Sequence, residues 1–582
     1  MQYALLTKYY DKISQTSKRL EKIKHISELL QETDRYDLEM VIFLLQGRVF
    51  PKGDEQKIGM ASRLVIKALS TSSGVSTEDI EKEWKNTGDI GKSTQHLIQK
   101  KKQATLFSEP LSVSKVFENL VKLAKLEGAG TVNNKVQLLC ELLTSATPRE
   151  ARYIVRTVIG DLRVGASEGT LRDAIVRAYF TKTYENREVD EESKKEYTKK
   201  VQKVQHAFDL SNDFGKVVKK LEESGEKGLE SISLELFNPL NPMLFPKAKD
   251  IEDGFSIVGK PAIIEYKYDG FRVQIHKDGE KVELFTRRLE NVTDQFPDII
   301  DVIRKNVKAN RCILDSEVLG VDRSTGTYMP FQNISQRIRR KHGIDDMAKK
   351  VPVINIIFDI LYLNDDSLLQ TQFEKRREIL EDNIDIKEGK IEFSKMLKTD
   401  NTEKANSFYE KSLLLGNEGI MMKSLDKGYK PGARIGYGVK VKPVLEPLDL
   451  AIIGAEWGHG KRAGWLTSFT VACKSNSGEM LKMGKVGTGV KELDQKEAEN
   501  KTFKQFTDML KPLVTKETNS SVEVKPEIIV EIDYEEIQKS INYDSGYALR
   551  FPRIKRIRDD LSEPSCIEDV RRVYQEQRGR EQ

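Results

Sequence analysis

At Leu236-Phe237-Asn238-Pro239-Leu240-Asn241-Pro242-Met243 the chain changes character, and no single fold accommodates both sides of that change. Before it, apolar residues recur at helical spacing, as in Leu20, Ile23, Ile26, Leu29 and Leu30, and charged stretches such as Asp190–Lys203 read as solvated helix faces. The two prolines stop helical continuity, and strand-like alternation takes over. A length of 582 residues exceeds what one hydrophobic core usually serves, so several domains are expected.

Pro261–Thr286 reads as strands Ala262–Lys267, Phe271–His276 and Val282–Thr286, separated by tight turns at Asp269-Gly270 and Asp278-Gly279. After Lys442-Pro443, β-rich stretches at Leu450–Ala455, Thr467–Ala472 and Glu527–Ile532 alternate with glycine-rich turns, a pattern that suits a small barrel. The expected architecture is multidomain: an all-α domain over 1–231, an α+β domain over 232–443 and a β-barrel of the OB-fold type over 444–582.

Bulk composition excludes more than it selects. Lys+Arg 96 against Asp+Glu 91 leaves a net charge of +5, compatible with basic patches and insufficient to prove nucleic-acid binding. Cys140, Cys312, Cys473 and Cys566 stand apart with no CxxC pair, so neither a zinc module nor a disulfide framework is expected, and a reducing interior is the natural compartment. The six histidines have no metal-ligand or triad spacing. The N-terminus lacks a signal-peptide core, and no apolar run approaches the roughly 20 residues that cross a bilayer.

Lys267 lies in Glu265-Tyr266-Lys267-Tyr268-Asp269-Gly270-Phe271-Arg272. Alone, Lys-x-Asp-Gly is a common tetrapeptide, and its lysine is as readily a solvated charge. Company changes that reading. In order follow Thr286-Arg287-Arg288, Ile313-Leu314-Asp315-Ser316-Glu317, Phe358-Asp359-Ile360-Leu361-Tyr362, Glu418-Gly419-Ile420-Met421-Met422-Lys423, Tyr429-Lys430-Pro431-Gly432-Ala433-Arg434 and Lys440-Val441-Lys442. The series ends in Arg550-Phe551-Pro552-Arg553-Ile554-Lys555-Arg556-Ile557-Arg558. One strand-end lysine among ordered cations and carboxylates is what covalent nucleotidyl transfer requires.

With this series the sequence resembles the covalent nucleotidyltransferases, and among them the ATP-dependent DNA ligases of the archaeal and eukaryotic replicative type. The resemblance covers nearly the whole chain. It implies that Lys267 attacks the α-phosphorus of ATP, forms lysyl-AMP, passes AMP to the 5′-phosphate of a nick in double-stranded DNA, and lets the 3′-hydroxyl displace it, in replication, repair and recombination. The amine must be neutral to attack, so its pKa of about 10.4 is expected to fall under the influence of Lys423, Lys440 and Lys442. Arg287 and Lys440 would meet charge on the phosphate oxygens, and Arg550, Arg553 and Arg558 would close over pyrophosphate.

Glu317 and Glu418 are read as carboxylates for Mg²⁺, with Mn²⁺ as a substitute, because hard cations take oxygen ligands; exposed strand-end glutamates are the bland alternative. By resemblance Glu265 contacts adenine, Phe358 stacks on it, and Arg272, Arg287 and Arg434 bind nucleotide or nick phosphate. Phe358 equally suits a buried strand core.

Three positions depart from the family pattern: Ser316 where glycine is frequent, Gly438 where tryptophan is common, and Leu561 where a lysine is usual. The last removes one cation from the expected triphosphate clamp. Gly160-Asp161-Leu162-Arg163-Val164-Gly165, before a helix Glu168–Tyr179, resembles part of the family's helical DNA-binding domain; at a helix N-terminus it would present backbone N–H groups to a DNA phosphate, and a plain interhelical turn fits it too. Gln103-Ala104-Thr105-Leu106-Phe107 resembles a sliding-clamp (PCNA) peptide, with Gln103, Leu106 and Phe107 as anchors; a loop tucked into its own domain fits the same residues. A monomer in an archaeal-type cytoplasm is expected, with the nucleus left open. A messenger-RNA-capping guanylyltransferase and a non-catalytic DNA-binding clamp adaptor are the rival readings.

Overall fold

The computed structural model describes the chain except residues 52–55, 57, 100–108, 127–129, 323–326, 330, 339, 341, 444, 459–461, 463, 493–501, 519 and 578–582. Helices from Tyr3–Gln15 to Glu226–Glu230 build the N-terminal region. Their periodicity accounts for their packing: Tyr3–Gln15 buries Tyr3, Leu6, Tyr9, Tyr10 and Ile13, one face of the helix. Pro148–Val158 starts on a proline and a capping box, in which Thr147 accepts from the Glu150 N–H and Glu150 accepts from the Thr147 N–H. The helix Glu191–Ser211 buries only its second half, Val204 onward, so the charged stretch read as solvated is so.

The central region holds two sheets. The first contains β1 (Ala262–Lys267), β9 (Met396–Thr399), β10 (Gly419–Ser424) and β11 (Gly438–Val441), in the order β11-β10-β1-β9 and antiparallel throughout. The second is built on β2 (Phe271–Asp278), β3 (Lys281–Thr286), β4 (Arg311–Val321), β6 (Val353–Leu363) and β7 (Asp366–Ser367), in the order β3-β2-β4-β6-β7. Here β5 (Tyr328–Met329) pairs with β4, and β8 (Ile391–Phe393) runs parallel to β6. β1 has the bounds read from sequence, while β2 runs two residues further, to Asp278.

Leu236–Met243 is docked rather than loose. The Phe237 N–H donates to His276 Nδ1 at 2.9 Å, and the Leu240 N–H donates to Gln274 Oε1 at 2.7 Å. Both acceptors lie on β2. The helical core also runs on into the second sheet, since Ile313, Leu361, Tyr362, Leu369 and Tyr429 join the same buried cluster as Tyr3, Leu6 and Leu142.

The C-terminal region has its own core, from Leu448 to Val573. Its strands are β12 (Leu448–Trp457), β13 (Leu466–Lys474), β14 (Met480–Val486), β15 (Val514–Glu517), β16 (Ser521–Val524), β17 (Ile529–Asp533) and β20 (Arg553–Ile557), joined in one antiparallel sheet of order β14-β13-β12-β16-β15, with β17 on the first half of β12 and β20 on β17. A separate hairpin pairs β18 (Glu536–Lys539) with β19 (Tyr547–Arg550). Strand pairing among the described residues does not close this sheet into the expected barrel. The Ile554 N–H, on β20, donates to the Thr488 carbonyl just past β14 at 3.0 Å.

Candidate active site

Strand pairing gathers the motif residues onto one face. Directly opposed residues of antiparallel strands point to the same side, and successive residues alternate. Glu265 opposes Met421, Lys267 opposes Gly419, Ile263 opposes Lys423, and Met421 opposes Lys440. Glu265, Lys267, Met421, Lys423, Lys440 and, two residues on, Lys442 therefore share a face. The second sheet turns Arg272 and Glu317, a cross-strand pair, toward the same space.

That space is a cavity of about 1500 Å³, lined by Glu265, Lys267, Arg272, Arg287, Glu317, Phe358, Glu418, Lys423, Arg434, Lys440, Lys442 and Arg550. Two glycines of the motifs answer to crowding. A Cβ on Gly270 would stand 2.4 Å from the Val318 carbonyl, and one on Gly419, at φ +135°, 2.2 Å from the Val441 carbonyl.

Phe358 is a bulge residue. Asp359 opposes Asp315 and Ile357 opposes Ser316, so Phe358 has no partner across the ladder and its half-buried ring is aimed into the cavity rather than the core. Lys423 Nζ lies 5.1 Å from its ring centroid and 4.2 Å from that of Phe373. The next residue, Asp359, holds Arg376 through two buried hydrogen bonds of 2.8 and 2.9 Å, fixing the helix Phe373–Asp382 against β6.

Around Lys267 the cavity holds an ion cluster. Glu418, whose N–H donates to the Lys267 carbonyl at 2.8 Å, stands beside the lysine. Its Oε2 meets Lys267 Nζ at 2.5 Å and Lys442 Nζ at 2.6 Å. Burial works against the Glu418 charge, but these two lysines outweigh it and hold the carboxyl far below the usual carboxylate range. Lys267 does not show the lowered pKa expected from sequence: burial pulls it down, yet Glu418 and Glu317 override that and raise it. The lowered group is Lys440, through burial and the nearby charges of Lys442 and Lys267. Glu317 is pushed up to about 8, by burial first, against the pull of Lys267 and Arg272 and with the push of Glu418.

Arg272 is bound into the protein itself. Its Nε meets Asp315 Oδ1 at 2.8 Å, a second nitrogen reaches the same carboxylate, and further donors reach the Met243 carbonyl at 3.0 Å and the Tyr429 hydroxyl at 3.1 Å. Sequence reasoning gave Asp315 and Tyr429 no role, and neither Arg377 nor Phe373 any mention, because their partners lie far along the chain. From the C-terminal region, Arg550 reaches the cavity mouth, 3.3 Å from Glu536, 3.9 Å from Glu418 and 3.9 Å from Asp269, while Glu535 meets Lys442 at 3.3 Å. Arg553 and Arg558 do not line the cavity, and Arg558 is tied to Asp449 and Asp560.

Of the three departures, Ser316 is buried and donates its hydroxyl to the Val273 carbonyl at 3.0 Å. Gly438 faces Phe245, whose ring atoms would stand 2.7 Å from an added Cβ, so another aromatic already fills that space. Leu561 donates its N–H to the Arg558 carbonyl in a turn. The Gly160–Gly165 loop turns through positive φ at Gly160, Arg163 and Gly165 and is strapped by Lys22 Nζ to the Val164 and Gly165 carbonyls. The helix after it is capped by Ser167. Gln103, Leu106 and Phe107 lie outside the described residues. Among the described residues no three His, Cys, Asp or Glu side chains group as metal ligands, and no helix is long and apolar enough to cross a membrane.

Three family models match the chain: "DNA ligase N terminus" over residues 2–176, "ATP dependent DNA ligase domain" over 242–442 and "ATP dependent DNA ligase C terminal region" over 462–561. The chain is similar to the DNA ligase of Nanoarchaeum equitans, 43% identical over 100% of this chain and 99% of that one. It is also similar to the DNA ligase of Thermococcus fumicolans, 39% identical over 99% of this chain and 98% of that one. The solved structure named Pmar-Lig_Pre aligns over 95% of this chain and 99% of that one with a TM-score of 0.56 and 16% identity, a likeness of fold alone.

Proposed function

The chain belongs to the ATP-dependent DNA ligase family, and from that premise we propose how its cavity joins a nick in duplex DNA. Nick sealing with ATP is the activity of the family, and neither the capping nor the adaptor reading is favoured. The observation that carries the mechanism is the shared face of β1, β10 and β11, which sets Glu265, Lys267, Lys423, Lys440 and Lys442 around one cavity.

Lys267 Nζ is the nucleophile. Its ammonium first loses a proton to solvent; the neutral amine forms a P–N bond to the α-phosphorus of ATP as the bond to the β-phosphate oxygen breaks and pyrophosphate leaves. A nick 5′-phosphate oxygen then takes the AMP as the P–N bond breaks, and the 3′-hydroxyl, giving its proton to solvent, displaces AMP to leave a phosphodiester. Arg287, Arg434, Lys440 and Lys442 line the cavity where phosphate charge needs fixed cations. Glu265 and Phe358 form the base end, and Arg272, fixed by Asp315, shapes the wall between them. Arg550 stands at the mouth, and Arg553 and Arg558 reach pyrophosphate only if the C-terminal sheet moves.

The donor set fits a divalent metal. Glu317 and Glu418 are two oxygen donors close enough for Glu418 to raise the Glu317 pKa, with Asp269 adding to that push, and such a carboxylate set suits an ion that takes its other ligands from phosphate and water. Mg²⁺, or Mn²⁺ in its place, would be held by Glu317 and Glu418 and would supply positive charge against the phosphate oxygens. Burial and the charge of Lys440 work toward the neutral amine of Lys267, against Glu418 and Glu317.

We divide the chain at 231/232 and 443/444 and read the C-terminal sheet as an OB-type barrel, a reading supported by the Ile554–Thr488 hydrogen bond across its open edges. The helical region grips duplex phosphates in a monomeric cytoplasmic enzyme, and Gln103–Phe107 is its clamp peptide. Incubation with α-labelled ATP, GTP or NAD⁺ and Mg²⁺, followed by a denaturing gel, tests the mechanism. A covalent label from ATP that nicked duplex discharges and Lys267→Ala abolishes is expected. A label from GTP alone, or one that nicked duplex leaves in place, overturns it.

A further inference from the structure

Glu265, the carboxylate of the base end, is buried and held from two sides. Lys423 takes its Oε2, and Arg377 approaches its Oε1 at 3.5 Å. Arg377 is itself buried and anchored elsewhere. Its Nε donates to Glu381 at 2.7 Å, another nitrogen donates to the Ser394 carbonyl at 3.2 Å, and its guanidinium lies 5.0 Å from the Phe393 ring centroid. The guanidinium therefore links β1 to the helix Phe373–Asp382 and to the segment after β8, in a plane fixed before any ligand arrives.

The two ends of the cavity differ. Lys267, Lys440 and Lys442 gather toward one, while at the other Lys423, paired with Glu265, lies over the rings of Phe358 and Phe373. A nucleoside triphosphate with its phosphates on the cations puts its base against Glu265. A carboxylate only accepts hydrogen bonds. The 6-amino group of adenine donates to it, and the 6-oxo group of guanine turns a lone pair toward it. Guanine has donors of its own at N1 and N2, and a carboxylate free to swing toward them would bind guanine as well. One held at both oxygens does not swing.

We infer that Arg377 is a positioning residue for base selection: by fixing Glu265 it lets the cavity take a 6-amino purine and refuse a 6-oxo purine. The inference rests on the placement of the base at Glu265. A site built on a fixed polar partner discriminates by orders of magnitude, and a loosened one gives much of that back.

The test is single-turnover covalent labelling of the full chain with α-labelled ATP and, separately, GTP. Arg377→Met is expected to lower the ATP-to-GTP ratio of labelling rates about tenfold or more, with the rise in GTP labelling as its signature. Arg377→Lys, which keeps the charge but cannot reach Glu265, Glu381 and Ser394 together, is expected to fall between. Label from both nucleotides dropping in parallel, at an unchanged ratio, assigns Arg377 to folding alone and overturns the inference. If Arg377→Met yields no stable protein, the Arg377→Lys ratio decides, and an unchanged value there is equally fatal. Glu265→Leu, which leaves no acceptor, separates the two layers: if that variant keeps the ATP preference, the base does not sit at Glu265, whatever Arg377 does.

Discussion

Glu418 and Glu265 sit on the same wall of the cavity, each between two cations, and their neighbours give them different work. Glu418 is pinned between Lys267 and Lys442, so the resting lysine is held protonated. Glu265 is fixed between Lys423 and Arg377 beside two aromatic rings. Phe358 belongs to this second group through its bulge. Phe358→Ala should raise the KM for ATP in enzyme adenylylation about tenfold, the scale of roughly 1–3 kcal/mol for a lost base–aromatic stack, with little change in stability. A large fall in melting temperature with an unchanged KM would return Phe358 to the core. Much of this residue layer is legible in the sequence, because Lys267, Glu317, Glu418 and Lys423 each carry a short neighbourhood that travels with them. Arg377 is not, since nothing near Phe373-Glu374-Lys375-Arg376-Arg377 says that one arginine turns to Asp359 and the next to Glu265. Nor is the direction of the Lys267 shift, which depends on Glu418 facing the lysine rather than solvent.

At the scale of elements, β1 to β3 were readable from alternation and turn residues, whereas the docking of Leu236–Met243 on β2 was not, because it rests on side chains accepting from backbone. His276 is the sensitive part. Its Nδ1 accepts from the Phe237 N–H, so its Nε2 carries the hydrogen that Gln274 accepts at 2.9 Å. Burial pushes the imidazole down to about 3, below the roughly 6.5 of an unfolded chain. Between those values the unfolded chain binds a proton that the native one refuses, so stability is lost as pH falls from about 6.5 toward 3, by up to about 1.4 kcal/mol per unit. Urea unfolding from pH 7 to 4 should show that slope, and His276→Gln should flatten it; an identical slope in the variant would remove His276 from the account. The first sheet has a tighter spot at Gly438. Gly438→Ala, forced on Phe245, should cost about 1–3 kcal/mol, and Phe245→Leu should return part of it. Additive losses in the double variant would deny the contact.

On the scale of the whole molecule, the helical core runs on into the second central sheet while the C-terminal core stands alone, reaching the cavity through Glu535, Arg550 and Phe551. That division suits a clamp whose last part can leave and return. The break in periodicity at Pro239 and Pro242 announces the first junction in the sequence. The shared core across it does not show there, because Ile313, Leu361 and Tyr429 look like any other strand or loop apolar residue. Pairing across the seven C-terminal strands was likewise invisible, and alternation showed only three of them, at Leu450–Ala455, Thr467–Ala472 and Glu527–Ile532. On the proposed mechanism, sealing depends on one amine, Lys267 Nζ, meeting one phosphorus in the cavity between the two central sheets. Mass spectrometry of protein charged with ATP and Mg²⁺, digested under conditions that preserve a P–N bond, is the most direct measurement. One adenylate is expected, on Lys267, lost on adding nicked duplex; an adenylate on Lys440, Lys442 or any other side chain would contradict the assignment of Lys267 as nucleophile.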